Sequence, residues 1–322
     1  MRYVDALCRE YDMRRDYITL PPATIYVGGG TPSVLAAGQL EQLFDVLGSA
    51  EEVTLECNPD DVTEAFAAQL RRLPVNRVSM GAQTFNAGRL RFLHRRHTPE
   101  QVAVAIDRLR HAGIENISVD LIYGFPGQTL AEWESDVDHA LALNVEHLSA
   151  YALTYEEGTP LHRLMEQGRL HPVDEEQSRA MYYALLDRVA AAGFEHYEIS
   201  NFALPGRRSR HNSGYWTDRP YLGLGAAAHS YDGHRRWWNV SDIDDYMRST
   251  ALSDTTCDSE TIDDATRYND RVMLALRTAD GLDTGTLTAT DRSYLLALAR
   301  KHIDGGLLTL RDCRLTLTRE GV

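Results

Sequence analysis

Two carboxylates, an amide and a glycine triplet stand at matching points of this sequence, each within or just after a short apolar run. Glu56 falls in VTLECNP, Gln83 in RVSMGAQTFN and Asp120 in ISVDLIYG, while Gly28-Gly29-Gly30-Thr31-Pro32 follows ATIYV. A charge at the end of an apolar strand is costly unless it is paired, exposed or bound to something polar. Two such carboxylates on one surface suit a cationic or hydroxyl-rich ligand. The glycines let a ligand approach the backbone closely, and Thr31-Pro32 favours a turn over an immediate helix. Such a loop can cradle a phosphate, yet the lysine of a P-loop and the GxGxxG spacing are both missing. A carboxylate or ammonium partner, or a tight turn with no ligand, remains open. Singly, Glu56, Gln83 and Asp120 read equally well as strand-end caps; their shared placement carries the argument.

That placement follows from the elements between them. Residues 39–48, 62–73, 99–112, 130–143 and 175–193 space their apolar side chains by three and four, as one-sided helices do. Thr98-Pro99 opens one helix and Gly113 closes it; Asp174 caps the long helix and Gly193 ends it. Strand and helix alternate as βαβ units, which predicts a parallel sheet. In a parallel α/β barrel the strand ends gather on one rim, where loops from different strands build a single site. A fifth strand end, Tyr151 to Tyr155 in HLSAYALTY, belongs to that rim. Past residue 205 the texture changes to Gly, Arg, His, Tyr and Trp. Residues 264–277 and 290–302 are again helical, and GGLLTLRDCRLTLTREG alternates like a β-hairpin. The organisation expected is a barrel over 1–205, a His/aromatic connecting segment over 206–245, and a small winged-helix-like domain over 246–322.

Composition narrows the function classes. With 33 basic against 47 acidic residues, the surface repels phosphate backbones and anionic membranes, so nucleic acid is not an expected partner. No apolar run is long enough to span a bilayer and the first residues do not read as a signal peptide, which points to the cytoplasm. Cys8, Cys57, Cys257 and Cys313 are too scattered for a disulfide framework or a metal knuckle.

The series YVGGGTPS, LECNPDDV, NRVSMGAQTFN, LHRRHTPEQ, NISVDLIYGFPGQT, LSAYALTYEEGTPL, YEISNFALPG, HNSGYW and GLGAAAHS resembles the oxygen-independent coproporphyrinogen-III-oxidase-like group of radical S-adenosylmethionine (SAM) proteins. Within that group it is most similar to the heme chaperone branch, of HemW type, over essentially the whole chain. The resemblance implies an α/β fold, a partial (β/α)6 barrel here missing its first strand, that holds SAM on its rim and is followed by a small C-terminal domain. It implies that Gly29, Gly30 and Thr31 meet the methionine amino group of SAM, that Glu56, Gln83, Arg95 and Asp120 contact SAM, and that Thr154 offers a backbone contact. The chemistry is sensible: Glu56 can pair the ammonium, Arg95 the carboxylate through a forked charge-assisted bond, and Asp120 hydroxyl or amine groups. Read without the family, Arg95 is equally a solvated charge in the basic run His94-Arg95-Arg96-His97.

One departure matters more than any match. The family's CxxxCxxC run, whose thiolates hold a [4Fe–4S] cluster with one iron open to SAM, has no counterpart here. The cluster is therefore expected only where an upstream CxxxCxxC segment exists, and this chain supplies no metal ligands for it. Either the chain starts inside a longer barrel or it is a clusterless relative. MRYVDALCREYDMRRDYI reads as the middle of a barrel helix, and a barrel beginning at its second strand exposes an edge, so the first alternative is expected.

A second candidate site is His211-Asn212-Ser213-Gly214-Tyr215-Trp216, followed by Gly223 to His229 and Trp237-Trp238. An imidazole with an aromatic wall suits heme, because histidine ligates iron and flat rings pack on the porphyrin. A surface loop stiffened by aromatic packing is the competing reading. The resemblance favours heme, with His211 as the iron ligand, His229 second, and Tyr215 and Trp216 beside it. The function it implies is heme binding and delivery to acceptor hemoproteins, including those at the membrane surface. The alternative is oxidative decarboxylation of coproporphyrinogen III, a step of porphyrin biosynthesis.

Overall fold

The computed structural model of the protein describes residues 2–17, 20–253 and 257–322. Helix α1 (Arg2–Arg14) leads into β1 (Thr24–Val27), and strands and helices then alternate: α2 (Ala37–Leu47), β2 (Glu52–Cys57), α3 (Glu64–Leu70), β3 (Arg77–Gln83), α4 (Ala87–Phe92), α5 (Pro99–His111), β4 (Asn116–Tyr123), α6 (Leu130–Ala142) and β5 (His147–Ala152). Next come α7 (Pro160–Glu166), α8 (Glu175–Ala191), β6 (Glu195–Glu198), β7 (Asn201–Ala203) and α9 (Arg210–Tyr215). The chain finishes with β8 (His229–Tyr231), β9 (Arg235–Asn239), α10 (Ile243–Ala251), β10 (Cys257–Thr261), α11 (Asp264–Leu276), β11 (Leu282–Asp283), α12 (Ala289–Asp304), β12 (Leu308–Arg311) and β13 (Arg314–Leu317).

The main sheet runs β1-β2-β3-β4-β5-β7-β6 and curls into a half-barrel. Strands β1 to β5 pair in parallel, as the βαβ pattern predicts. The expectation of a wholly parallel sheet needs one correction: β7 pairs antiparallel with both β5 and β6. The reversal occurs at Ile199-Ser200, where the Glu198 carboxylate accepts hydrogen bonds from Ser200 N–H (3.1 Å) and from the Asn201 side chain (2.6 Å). The helices start where the cap residues place them: Asp174 accepts from Gln177 N–H at 2.7 Å, Thr98 opens α5, and Gly113 and Gly193 follow their helices at positive φ. Pro32 opens a single 3-10 turn, Pro32–Val34, before α2 begins.

One face of each strand packs under the helices. Val53, Leu55 and Cys57 of β2, Val78, Met80 and Ala82 of β3, and Ile117, Val119 and Leu121 of β4 join Trp133, Leu148 and Phe202 in one continuous core. Because side chains alternate along a strand, Glu52, Thr54, Glu56, Arg77, Ser79, Ser118 and Asp120 face the opposite, concave side. A second apolar cluster, Leu282, Leu295, Ala299, Leu308 and Leu315, forms beneath the β11-β13-β12 sheet.

A buried polar knot ties α1 to the segment after α9. Glu10 accepts from Arg14 Nε (3.2 Å), Asn239 Nδ2 (2.7 Å), Gly225 N–H (2.8 Å) and Tyr246 O–H (2.7 Å). Glu10 and Arg14 are both buried, so removing the charge leaves donors facing a donor. Breaking a buried pair of this kind costs about 3–5 kcal/mol. Glu10→Gln should lower the unfolding free energy by about 3 kcal/mol in urea titration; a loss below about 1 kcal/mol, the range of exposed pairs, would contradict the knot's role.

Candidate cofactor site

The rim at the C-terminal ends of β1 to β4 gathers most of the residues that the sequence singled out. Glu56 is held in place by two donors: Tyr26 O–H reaches Oε1 at 2.7 Å and Gly29 N–H reaches Oε2 at 3.1 Å. Gly28 permits this, since a Cβ there would come within 2.5 Å of both the Glu56 carboxyl and the Tyr26 ring. Gly29 turns at φ +79, and a Cβ on Gly29 or Gly30 would meet nothing within 4 Å, so this backbone is open to a ligand.

Gln83 stands at φ 67, a conformation rare for a side chain other than glycine, next to an irregularity in the β3–β4 register. Its amide nitrogen lies 2.6 Å from where a Gly81 Cβ would be, and Arg95 Nη2 lies 3.5 Å from the same point. Gly81 therefore lets Gln83 and Arg95 share one space. His94 at φ 55 turns the chain after α4 so that Arg95 points back over the sheet, where its Nη1 donates to Asn58 Oδ1 at 2.8 Å. Asp120 is contacted by Ser79 Oγ at 3.2 and 3.3 Å and by Ser118 Oγ at 3.4 Å. Burial pushes its carboxyl above the usual range, while Ser149, the Arg77 charge and Ser79 hold it back. Thr154 is exposed on the loop after β5.

An anchored carboxylate, a second carboxylate, a guanidinium and an open glycine backbone form one constellation. It offers opposite charges to a ligand that itself carries an ammonium and a carboxylate.

His211 lies elsewhere, toward the N-terminal end of β1. The HNSGYW segment is a short helix, α9, rather than a loop. Ser209 caps it by accepting from Asn212 N–H, and the Glu52 carboxylate accepts from Arg210 N–H (3.0 Å) and His211 N–H (2.9 Å). The His211 ring stacks on Tyr26 with centroids 4.9 Å apart and planes 24° apart. Its Nδ1 meets Thr24 Oγ1 at 2.8 Å and its Nε2 meets Tyr215 O–H at 2.9 Å. Burial, with the Arg77 charge adding to it and Glu52 opposing, holds the imidazole below its ordinary range and hence neutral. Tyr215 thus stands beside His211. Trp216 instead packs against the Arg277 guanidinium at 4.7 Å, and exposed His229 stacks on Trp238 at 5.6 Å.

Sequence reasoning missed four residues on the concave face: Tyr26, Arg77, His147 and Tyr197. Arg77 is 1% exposed, and its Nε has no hydrogen-bond partner among the described residues. His147 bridges Ser118 Oγ (2.7 Å) and Tyr197 O–H (2.7 Å). For Arg77 the signal was available, because polar residues recur at every second place in EVTLE, RVS and NISVD.

The four cysteines do not suit an iron–sulfur cluster. Cys57 is buried on β2 and burial pushes its thiol far up; Cys8 sits on α1, Cys257 on β10, and Cys313 follows β12. Among the described residues no three His, Cys, Asp or Glu side chains converge to hold a metal.

Comparison with known proteins shows the family and the fold. Residues 15–140 match the model of the radical SAM superfamily and residues 262–322 that of the HemN C-terminal domain. The fold is that of coproporphyrinogen III oxidase (HemN) from Escherichia coli, a radical SAM enzyme, with a TM-score of 0.81 over 99% of this chain and 80% of that one; at 20% identity the likeness is one of fold. The class is therefore a radical SAM half-barrel with a HemN-type C-terminal region. Among relatives, the heme chaperone HemW of Lactococcus lactis is 36% identical over 87% of this chain and 74% of its own length. HemW of Mycobacterium tuberculosis is 35% identical over 99% and 83%, and HemW of Bacillus subtilis 41% over 70% and 61%. The chain belongs to the HemW family of radical SAM proteins.

Burial and the Arg77 charge hold His147 well below the ordinary histidine range. The unfolded chain therefore takes up a proton that the folded chain refuses, and stability present above about pH 6.5 is lost as pH falls toward the folded value. In that window this one group should cost about 1.4 kcal/mol per pH unit. Denaturant titrations between pH 7 and 5 should show a shallower loss for His147→Gln than for the wild-type chain; parallel losses would contradict the assignment.

Proposed function

We propose that this protein binds SAM on the rim and heme at the α9 segment, and delivers heme to acceptor hemoproteins. The reading rests on one observation: Glu56, Arg95, Asp120 and the open Gly29-Gly30 backbone share one rim. That set complements the amino-acid end of SAM, with Glu56 and the glycine loop toward the ammonium, Arg95 toward the carboxylate, Asp120 toward hydroxyl or amine groups, and Gln83, Thr31 and the Thr154 backbone completing the wall. The heme chaperone names of the relatives support the cargo.

SAM in this superfamily supplies radical chemistry when a cluster stands beside it; the residues of this chain do not fit that cluster, and no radical step is assigned to them. Their work is binding and orientation. Glu56 is pre-set by Tyr26 and Gly29, so little side-chain freedom is lost when an ammonium arrives. For heme, Nδ1 of His211 can keep Thr24 while Nε2 exchanges the Tyr215 hydroxyl for iron. Tyr215 is 38% exposed and packs edge-on against Tyr221 at 4.9 Å. Trp216 is turned to Arg277 and His229 to Trp238, so the heme assignment rests on His211 with Tyr215 beside it.

Glu56→Gln should weaken SAM binding at least tenfold by calorimetry, the effect of about 1.4 kcal/mol. Hemin titration followed at the Soret band should show His211→Ala binding at least tenfold more weakly with a shifted band. An unchanged isotherm in either variant would remove that residue from its assigned role.

A further inference from the structure

The two candidate sites are joined by a single side chain. The Tyr26 hydroxyl donates to Glu56 on the rim at 2.7 Å, and the same ring stacks at 4.9 Å on the His211 imidazole. Glu56 keeps acceptor capacity after receiving Tyr26 and Gly29, because an ionised carboxylate can accept about four hydrogen bonds. An incoming ammonium therefore need not displace Tyr26. It adds a third partner to Glu56 and fixes the carboxylate and the Tyr26 hydroxyl together.

A second path reaches α9 from Asp120. Ser118 O–H donates to Asp120 (3.4 Å), Ser118 Oγ meets His147 Nδ1 (2.7 Å), His147 Nε2 meets Tyr197 O–H (2.7 Å), and Ser209 N–H donates to Tyr197 (3.4 Å). One consistent donor direction runs along it, from the Ser209 amide to the Asp120 carboxylate. Ser209 is the N-cap of α9. Both rim carboxylates are thus wired to the helix that carries His211.

Resting on the SAM and heme reading above, we propose that Tyr26 is a positioning residue that couples the two ligands, so that SAM on Glu56 tightens heme binding at His211. The coupling comes from order rather than from a large movement. His211 must present Nε2 with its ring held by Tyr26 and Thr24. A ligand that immobilises Tyr26 removes part of the ordering cost of the second event. Linkage then requires heme to tighten SAM by the same factor.

The test is hemin titration of the full chain with and without saturating SAM, together with SAM calorimetry with and without hemin. The expected result is a hemin Kd about fivefold or more lower in SAM and an equal gain in SAM affinity, within the usual span of such couplings. Tyr26→Phe keeps the stacked ring and loses the hydroxyl. Whatever its single-ligand affinities, its ratio of hemin Kd values without and with SAM should fall to about one, which a residue that only packed the barrel would not do. Wild-type chain that binds each ligand alone with a ratio of one, or a Tyr26→Phe variant that keeps the wild-type ratio, overturns the inference alone. Failure of wild-type chain to bind SAM or hemin by itself overturns the reading beneath it as well. The reciprocal wild-type titrations decide the matter even where the variant does not fold.

Discussion

The concave face of the sheet sets the terms for the rest of the molecule. Its outer face is sealed by helices over an apolar core, so the charged side chains of β1 to β5 face inward, while Tyr123 packs outward against Trp133 of α6. Buried polar groups are costly unless paired, and most here pair across strands, Tyr26 to Glu56, Ser79 and Ser118 to Asp120, and Ser118 through His147 to Tyr197, while Thr54 Oγ1 and Arg77 Nε have no partner among the described residues. Those cross-strand bonds fix the rim carboxylates from below. The rim can then present charge to a ligand without first having to organise it.

The same constraint explains α9. A six-residue helix containing Gly214 has little stability of its own. It forms because Glu52, projecting from the inner face of β2, supplies the acceptor for its first N–H groups, and because His211 fits between Thr24, Tyr26 and Tyr215. The HNSGYW segment is thereby docked on the barrel. Trp216 faces the other way, where Arg277, itself paired with Glu198 at 2.7 Å, draws the indole toward α11.

Much of this was legible in the sequence, and the rest was hidden for identifiable reasons. Helix α5 was expected over 99–112 and spans Pro99–His111, because Thr98, Pro99 and Gly113 state its limits locally. Helix α3 was read two residues early and three late: Thr63 is its cap, accepting from Phe66 N–H at 3.1 Å, and the chain leaves the helix at Arg71. The β6–β7 reversal was illegible, since its turn holds no glycine or Asn-Gly pair and relies on Glu198 instead. The carboxylates and glycines of the rim were visible as strand-end punctuation. His147 and Tyr197 were not, because their partners lie on other strands, and for Arg77 only the two-residue alternation hinted at a polar interior. The helix in HNSGYW depends on Glu52, 158 residues from Arg210, and no local reading finds it.

The central claim is that the ends of β1, β2 and β3 form one ligand site. Amide hydrogen exchange with and without saturating SAM, read peptide by peptide, tests it most directly. Slowed exchange is expected in the peptides that hold Gly28 to Thr31, Glu56 to Asn58 and Gly81 to Gln83, where the backbone borders the proposed ligand. Unchanged exchange in all three under conditions where calorimetry shows SAM bound, with protection confined to residues 264–322, would contradict it.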